Sequence, residues 1–352
     1  MGIFSKTSIG VDIGTSSIKI VELEKRKGVS LTNYGVLGAD YFHGKDIRVR
    51  EKGNLSIDEA KISQAISSIL KEAQIKTKQA YFSIPDFASF FTSFELPQMP
   101  ENEIPEAVKY EAPRRIPLPL SEVVLDWQLI KGGPSKDGKT PLRVLLVAVP
   151  NNVIEQYQRV AKNAGLKIQA LEAEVFGIMR ALVKYQDQTG VVCLIDIGER
   201  STTINIVSQG ILKLSHSFDV SGEDFNRVLS EALQIDVKKA EIIKRMYGVT
   251  GEHKSLQDII NPLASAIIEK TKSIFDEIYL QDKERVGKVI LSGGGAVLPG
   301  FVDYFYKSLD VPIEIANPFL DINYHPTLET ALKRLSPSFT IAVGMAQRAW
   351  FK

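Results

Sequence analysis

Cysteine is all but missing from this chain: one residue, Cys193, among 352. A single thiol excludes an internal disulfide framework and suits a reducing compartment. Set inside the apolar run VVCLIDI (191–197), it reads as a buried core thiol rather than a nucleophile. Histidine is nearly as scarce, and His43, His216, His253 and His325 are scattered without the spacing of metal ligands. Neither sign of charge is in excess, with 43 Lys+Arg against 42 Asp+Glu. That removes the basic footprint of a nucleic-acid binder and any acidic tail, though not local patches. No apolar stretch reaches transmembrane length. The first apolar run is interrupted by Asp12, so it does not read as a signal peptide. Gly2 is followed at position six by Lys6, where a myristoylation site wants Ser or Thr. What remains is an ordinary globular composition, 44% hydrophobic and 24% charged, with enough length for two domains.

The first informative stretch is IGVDIGTSSIKIVEL (9–23). An apolar strand ends in Asp12, turns at Gly14 through Thr15, Ser16 and Ser17, and resumes alternation at Ile18, so 7–23 predicts a β-hairpin and 29–37 a third strand. Half a chain later VVCLIDIGERSTTINIV (191–207) repeats the plan, with Asp196 at the strand end, Gly198 at the turn and Ser201 before the second strand. A strand-end carboxylate can hold a water of Mg²⁺, which keeps most of its hydration shell. A glycine followed by small polar residues lets backbone N–H groups approach phosphate oxygens. One copy is explained by turn chemistry alone. Two copies suggest two similar domains facing one phosphate chain. A third element, KVILSGGGAVLPGF (288–301), places Gly293, Gly294 and Gly295 after a strand. It fits neither the dinucleotide fingerprint nor the Walker loop.

Between and after the hairpins the periodicity gives a polar loop over 43–54 and a helix from Ser56, capped by Ser56 with Glu59. Strands follow at 80–85 and 90–96, then a helix in NEIPEAVKYEAPRRIP (102–117), strands at 123–130 and 142–150 joined by the polar KGGPSKDGKT (131–140), and a helix over 151–164 closed by Gly165. A short strand and helix occupy 168–186, and helical stretches span 222–248 and 256–280. The segment 86–167 thus reads as a strand–helix–strand–strand–helix insertion.

Together the two Asp-Ile-Gly hairpins and the strand–Gly-Gly-Gly–helix segment resemble the ATPase fold of actin, the heat-shock chaperones and the sugar kinases. The resemblance implies a two-domain α/β molecule built on ribonuclease H-like repeats. It assigns Asp12, Gly14, Thr15, Ser16, Ser17 and Lys19 to a first phosphate loop and Asp196, Gly198 and Ser201 to a second. Gly222, in SGEDFNRVL (221–229), would back the nucleotide, and Gly293 to Gly295 would meet adenosine. AEIIKRMYG (240–248) is similar to a segment of the division protein FtsA, and puts Glu241 and Lys244 on one helix face toward the adenosine; an ordinary exposed ion pair is the other reading. ATP and Mg²⁺ are the implied cofactors, the metal held through water by Asp12 and Asp196. Glu174, at the head of a helix, would orient the attacking water, or is simply an acid favoured by the helix dipole. In the second loop Glu199 and Arg200 stand where relatives prefer glycine; Arg200 contacts phosphate or is a solvated loop charge. ATP binding is therefore expected, with hydrolysis slow or absent.

The insertion EAVKYEAPRRIPLPLSEVVLDWQLI (106–130), the N-terminus and ALEAEVFGIMRAL (170–182) resemble the PilM family of type IV pilus assembly. That implies an FtsA-type, SHS2-like inserted subdomain 1C and no actin-type 1B. The divisions implied are 1–85 and 168–188 for subdomain 1A, 86–167 for 1C, 189–338 for 2A and 2B, and 339–352 for a helix packing back on 1A. The resemblance also implies a cytoplasmic protein, peripheral at the inner membrane through its partners, that binds the cytoplasmic N-terminal peptide of PilN in a groove between core and insertion and links platform to motor. Other platform or motor proteins and self-association are further implied contacts. Candidate groove residues are Tyr110, Arg114, Ile116, Pro117, Leu118 and Trp127, each of which packing within the insertion, or solvation for the arginine, would also explain. Two other classes stay open: an FtsA-like filament protein, disfavoured because the chain stops soon after TIAVGMAQRAWFK without an amphipathic tether, and a sugar kinase, for which no catalytic aspartate is identified in the insertion.

Overall fold

The computed structural model describes residues 6–38, 48–51, 54–131, 141–183, 190–249 and 253–351. Strand β1 (Lys6–Ile13) and β2 (Ser17–Lys25) form the first antiparallel hairpin, with Asp12 opposite Lys19, and β3 (Val29–Gly38) extends it. Strands β4 (Arg48–Glu51) and β5 (Asn54–Ile57) pair as a small ribbon where the sequence reads as loop. Four-residue strands are too short to show a period; residues 43–47, 52 and 53 of that expected loop lie outside the described residues. Helix α1 (Glu59–Glu72) buries Ile62, Ile66 and Ile69. Its cap is Asp58, whose carboxylate accepts the Lys61 N–H, and not Ser56, which the ribbon takes into β5. Strand β6 (Gln79–Ile84) then lies parallel beside β1.

The insertion comprises β7 (Phe90–Leu96), α2 (Ile104–Glu111), β8 (Val123–Lys131) and β9 (Leu142–Pro150), its strands ordered β7-β9-β8. Pro105 sits in the first turn of α2, where its missing N–H costs nothing. One face of this sheet and α2 share a core of Phe94, Ile104, Val108, Val144 and Leu146. The connection expected over 132–140 lies outside the described residues. Helix α3 (Asn151–Asn163), grouped with the insertion by sequence order, packs elsewhere: Val153, Tyr157 and Val160 join α1 on the first sheet. Sequence adjacency does not say which of two neighbouring cores an amphipathic helix covers. Strand β10 (Lys167–Ala173) completes that edge beside β6, and α4 (Glu174–Leu182) follows.

The second half repeats the first. Strands β11 (Val191–Ile197), β12 (Thr202–Ser208) and β13 (Ile211–Phe218) are an antiparallel set. The helical stretch read over 222–248 is two helices, α5 (Gly222–Leu233) and α6 (Val237–Tyr247), because Gln234 turns left-handed at φ 54° and Asp236 caps the second by accepting the Lys239 N–H. Helix α7 (Lys254–Asp282) leads to β14 (Val286–Ser292), parallel to β11, then α8 (Phe301–Leu309) and β15 (Ile313–Ile315). Strand β16 (Ile322–Asn323) crosses back to pair with β3, and α9 (Glu329–Gln347) returns across the first sheet. The sheets therefore run β10-β6-β1-β2-β3-β16 and β13-β12-β11-β14-β15.

Helices α4 and α9 join the halves. Val175 and Ile178 of α4 and Met345 of α9 share a core with Leu194, Val207 and Ile290 of the second sheet. The helices touch backbone to backbone: a Cβ on Gly344 would stand 1.9 Å from the Gly177 carbonyl oxygen. Gly10 lies as close beneath α9, 1.9 Å from the Ala342 oxygen by the same measure. Among the described residues no helix is long and apolar enough to cross a membrane.

Candidate functional site

The two hairpin strands end in the same way. The Gly14 N–H donates to the Ser17 carbonyl at 2.9 Å, and the Gly198 N–H donates to the Ser201 carbonyl at 2.9 Å. Asp12, 2% exposed, accepts from Ser83 Oγ at 3.1 Å; Asp196 accepts from Ser292 Oγ at 2.7 Å. Ser83 and Ser292 occupy equivalent places on β6 and β14, the parallel neighbours of the two hairpins. Sequence reading does not single them out, although Ser83 is next to last in an apolar strand and Ser292 is last in another, each beside a repeat. The copies differ across the hairpin. Opposite Asp12 stands Lys19, whose Nζ is 3.3 Å from Asp12 Oδ2; opposite Asp196 stands Thr203. Thr15 is buried in the first loop, and Ser16 and Ser17 are half-buried.

The glycine triplet sits against the second strand end. Gly293 has φ 84°, and a Cβ there would fall 2.4 Å from the Ile197 carbonyl oxygen. A Cβ on Gly295 would fall 2.4 Å from Ile197 Cγ2, whereas one on Gly294 would meet nothing within 4 Å. Packing thus explains two of the three glycines and leaves Gly294 as backbone facing open space. The Gly293 N–H donates to the Pro337 carbonyl at 2.9 Å, which fixes the triplet to the middle of α9.

Helix α5 begins at the second loop. The Gly198 and Glu199 carbonyls accept the Gly222 and Glu223 N–H groups, each at 2.9 Å, and Arg200 pairs with Glu223 at 3.2 Å. Arg200 is thereby engaged with protein rather than solvated. Glu199 lies over Gly222, its Oε2 3.0 Å from where a Cβ would be. Burial pushes the Glu199 carboxyl above its usual range. Lys244 is buried, donates to the Gly222 carbonyl at 3.0 Å and pairs with the half-buried Glu241, so this pair braces α6 against α5. Burial opposes the charge on Glu241, but Lys244 and Arg245 together hold its carboxyl below the usual range. At the head of α4, Glu174 accepts the Asp86 N–H at 3.4 Å, while the buried Asp86 carboxylate accepts the Val175 N–H at 3.1 Å. Among the described residues no three carboxylate, imidazole or thiol groups cluster as a direct metal cage. The strand-end pair suits an ion held mostly by water and phosphate, as Mg²⁺ is.

A groove of 1910 Å³ opens elsewhere, and neither strand-end aspartate nor the triplet lines it. The inserted sheet gives it Val124, Trp127 and Gln128; α4 gives Phe176, Met179 and Arg180. Lys288, Ile290 and Ile315 come from the second sheet, and Gln347, Arg348 and Phe351 from the end of α9 and beyond. Glu172 is held between Arg180, at 2.8 Å, and Arg348. Of the six residues read as partner contacts, Trp127 lines this groove. Ile116 is buried in the insertion's own core, with Leu118 packed against it. Pro117 is exposed, and Tyr110 lies on the outer face of α2 with the Arg114 guanidinium 5.0 Å from its ring centroid.

Comparison with known proteins places this geometry. A family model described as type IV pilus assembly protein PilM matches residues 10–350. A chain of a PilM-PilN type IV pilus biogenesis complex superposes with a TM-score of 0.84 at 23% identity, over 97% of this chain and 98% of that one. MreB 5 of Spiroplasma citri, solved bound to AMPPNP, superposes with a TM-score of 0.53 at 13% identity, over 96% and 94%. Cell division protein FtsA of Streptococcus pneumoniae is 21% identical over 346 residues, which is 88% of this chain and 75% of its own length. Topology and likeness agree on a two-domain, actin-like α/β fold.

Proposed function

This chain belongs to the PilM family of type IV pilus assembly proteins, and on that premise we propose that it is an ATP-binding adaptor whose groove takes the cytoplasmic N-terminal peptide of PilN. In this reading it sits at the cytoplasmic face of the inner membrane through its partners and links the assembly platform to the motor. The observation that carries the nucleotide half is the duplicated strand end: the same turn, the same serine-held aspartate and the same parallel neighbour, once in each domain. The likeness to an MreB solved with AMPPNP supports it.

The residues present fit ATP–Mg²⁺. Asp12 and Asp196 would accept from metal-bound water; Ser83 and Ser292 each donate to one of these carboxylates. Lys19 would pass from Asp12 to a phosphate oxygen, a point charge suited to that role. Thr15, Ser16, Ser17 and Ser201 offer backbone and hydroxyl donors, and Gly294 offers unobstructed backbone. Bound Mg²⁺ would supply charge neutralisation on the phosphates. Glu174 would orient a water for hydrolysis; its present hold on the Asp86 N–H is in keeping with slow turnover.

The groove supports the partner half. It lies between core and insertion, and the likeness to a chain solved in a PilM-PilN complex supports a peptide occupant. Closing the two domains on nucleotide would move α4 against α9, and α4 forms one wall of the groove, so peptide affinity is expected to respond to ATP.

Calorimetry tests the reading. ATP with Mg²⁺ should bind the wild-type protein and bind Asp12→Ala and Asp196→Ala at least tenfold more weakly; no uptake by folded wild-type protein removes the nucleotide assignment. A synthetic PilN N-terminal peptide should bind with an affinity that changes on adding ATP. Equal affinities with and without ATP, and in Asp12→Ala, would remove the coupling.

A further inference from the structure

One end of the first sheet carries a row of lysines. Strands β10, β6 and β1 run parallel, so all three begin at that end, and the antiparallel β2 finishes there. Lys167 opens β10, Lys76 and Lys78 lead into β6, and Lys6 opens β1. Lys25 closes β2 and Lys27 lies in the turn beyond it. All but the half-buried Lys25 are exposed. Among the described residues no acid pairs with any of these lysines, whereas Lys61 pairs with Asp58 and Lys333 with Glu329 elsewhere on the surface. The acids at this end are Glu24, held by Arg26 at 3.0 Å, Glu72 at the end of α1, and Asp321 beside β16. A chain with 43 bases and 42 acids therefore distributes them unevenly.

Folding gathers these charges against their own repulsion. Lys6 stands directly opposite Lys25, a pairing of like charges that destabilises a sheet. Lys167 and Lys78 are neighbours, the N–H of the first donating to the carbonyl of the second at 2.7 Å. From β10 to β2 the row spans three strand spacings, about 15 Å. Adjacent members lie within a Debye length of one another, so their potentials add. Lys6 and Lys25 have a local use: Lys6 donates to the Ala349 carbonyl, and Lys25 lies 4.8 Å from the centroid of the Phe351 ring. Nothing of that kind accounts for Lys27, Lys76, Lys78 and Lys167.

The row suits a broad anionic surface. Ammonium groups are compact, hydrated point charges that ask no forked geometry of their partner. The one exposed large aromatic beside the row among the described residues is Phe351, 47% exposed, which offers no platform for a succession of stacked bases. A cluster of lysines with an aromatic at its rim is instead the make-up of a face that meets lipid headgroups. The row also adjoins the groove, which Val29, Ile322 and Phe351 line at this corner of the sheet. A membrane-anchored partner seated in the groove would bring the row to the bilayer. Asp12 lies toward the other end of β1, roughly 20 Å from Lys6, so contact there leaves the nucleotide site clear.

We infer that the lysine end of the first sheet binds the headgroups of anionic phospholipids, giving the chain a membrane contact of its own beside the one made through its partner. The choice of a bilayer rests on the membrane placement proposed above; the charge row does not.

The test is co-sedimentation of the full chain with phosphatidylcholine vesicles, with and without phosphatidylglycerol, in the absence of peptide and nucleotide. Wild type should bind the phosphatidylglycerol vesicles, leave the neutral ones, and come off in about 0.5 M salt. Neutralising Lys27, Lys76, Lys78 and Lys167 together to Gln should weaken binding at least about fiftyfold, on the order of fivefold or less for each charge. Neutralising the exposed Lys109, Lys238, Lys254 and Lys307 in the same way makes the same change in net charge and should stay within about threefold of wild type. The first variant should melt at or above wild type, because repulsion has been relieved; a structural role for the lysines would lower its melting temperature. Absence of binding to phosphatidylglycerol vesicles at low salt, or equal losses in the two variants, overturns the inference. Retention of duplex DNA with the same dependence on the four lysines, and tighter than the vesicles, would reassign the face to nucleic acid. A separate titration with the PilN peptide shows whether the groove reading stands, and neither result decides the other.

Discussion

A side chain added at Gly293, Gly294 or Gly295 would meet three different surroundings. At Gly293 it would require a left-handed backbone and stand 2.4 Å from the Ile197 carbonyl oxygen. Gly293→Ala is therefore expected to cost about 3 kcal/mol of stability. Gly294→Ala should leave stability within about 0.5 kcal/mol, because the new methyl enters open space. On the nucleotide reading proposed above it should nonetheless lower ATP affinity about tenfold, since that reading puts the ligand in this open space. Chemical denaturation and calorimetry on the two variants separate the effects; a Gly294→Ala protein with normal ATP affinity would refute its role. Glu199 gives a pH-dependent case at the same scale. Burial raises its carboxyl, with Lys244 opposing and Glu241 and Glu223 adding to the shift. A carboxyl raised on folding contributes stability that is fully present below its unfolded range and is lost as pH rises through the folded value. Glu199→Gln should thus melt higher than wild type at pH 7, with the advantage shrinking toward pH 4. An advantage independent of pH would show that the charge is not the cause.

Helices α4 and α9 cross at two glycines, and the two sides of that crossing are unequal. A methyl on Gly344 would run into the backbone oxygen of Gly177 at 1.9 Å, which can yield only by separating the helices. A methyl on Gly177 would meet first the Met345 Cε at 2.7 Å, the free end of a flexible side chain. Gly344→Ala is expected to cost about 3 kcal/mol or more, and Gly177→Ala about 1 kcal/mol. Equal losses in urea unfolding would mean that the helices part as readily from either side. Because these helices join the two sheets, Gly344→Ala should also weaken the response of peptide binding to ATP.

Across the whole molecule the inserted sheet is anchored to both domains. Its chain connections lead into the first, but Arg143 on β9 reaches Asp282 at the end of α7 at 3.2 Å, and Lys213 on β13 donates to the Ile130 carbonyl on β8. Asp282 is 4% exposed at its side chain, so Arg143→Met takes the guanidinium from a buried carboxylate and should destabilise by about 3 kcal/mol. Pairing it with Asp282→Asn should recover much of that loss. A double variant no more stable than Arg143→Met would show that the lost charge partner is not what matters. These contacts tie the inserted sheet, which forms one wall of the groove, to the second domain.

By itself the sequence determined the parts that local chemistry dictates. Alternation around Asp12-Ile-Gly and Asp196-Ile-Gly is enough to specify two hairpins, because side-chain period and turn residues are properties of a few consecutive positions. A repeated motif also announces a repeated fold, and the family likeness of the insertion was legible in residues 106–130. Other features depended on residues far apart in the chain. Nothing local tells Ser83 to hold Asp12, sends α3 to the first sheet, or sets Gly294 apart from its neighbours. The groove is likewise a tertiary product. Its lining comes from stretches as far apart as 124–128, 176–180 and 347–351, and only packing of the inserted sheet against α4 and the end of α9 makes them walls of one cavity.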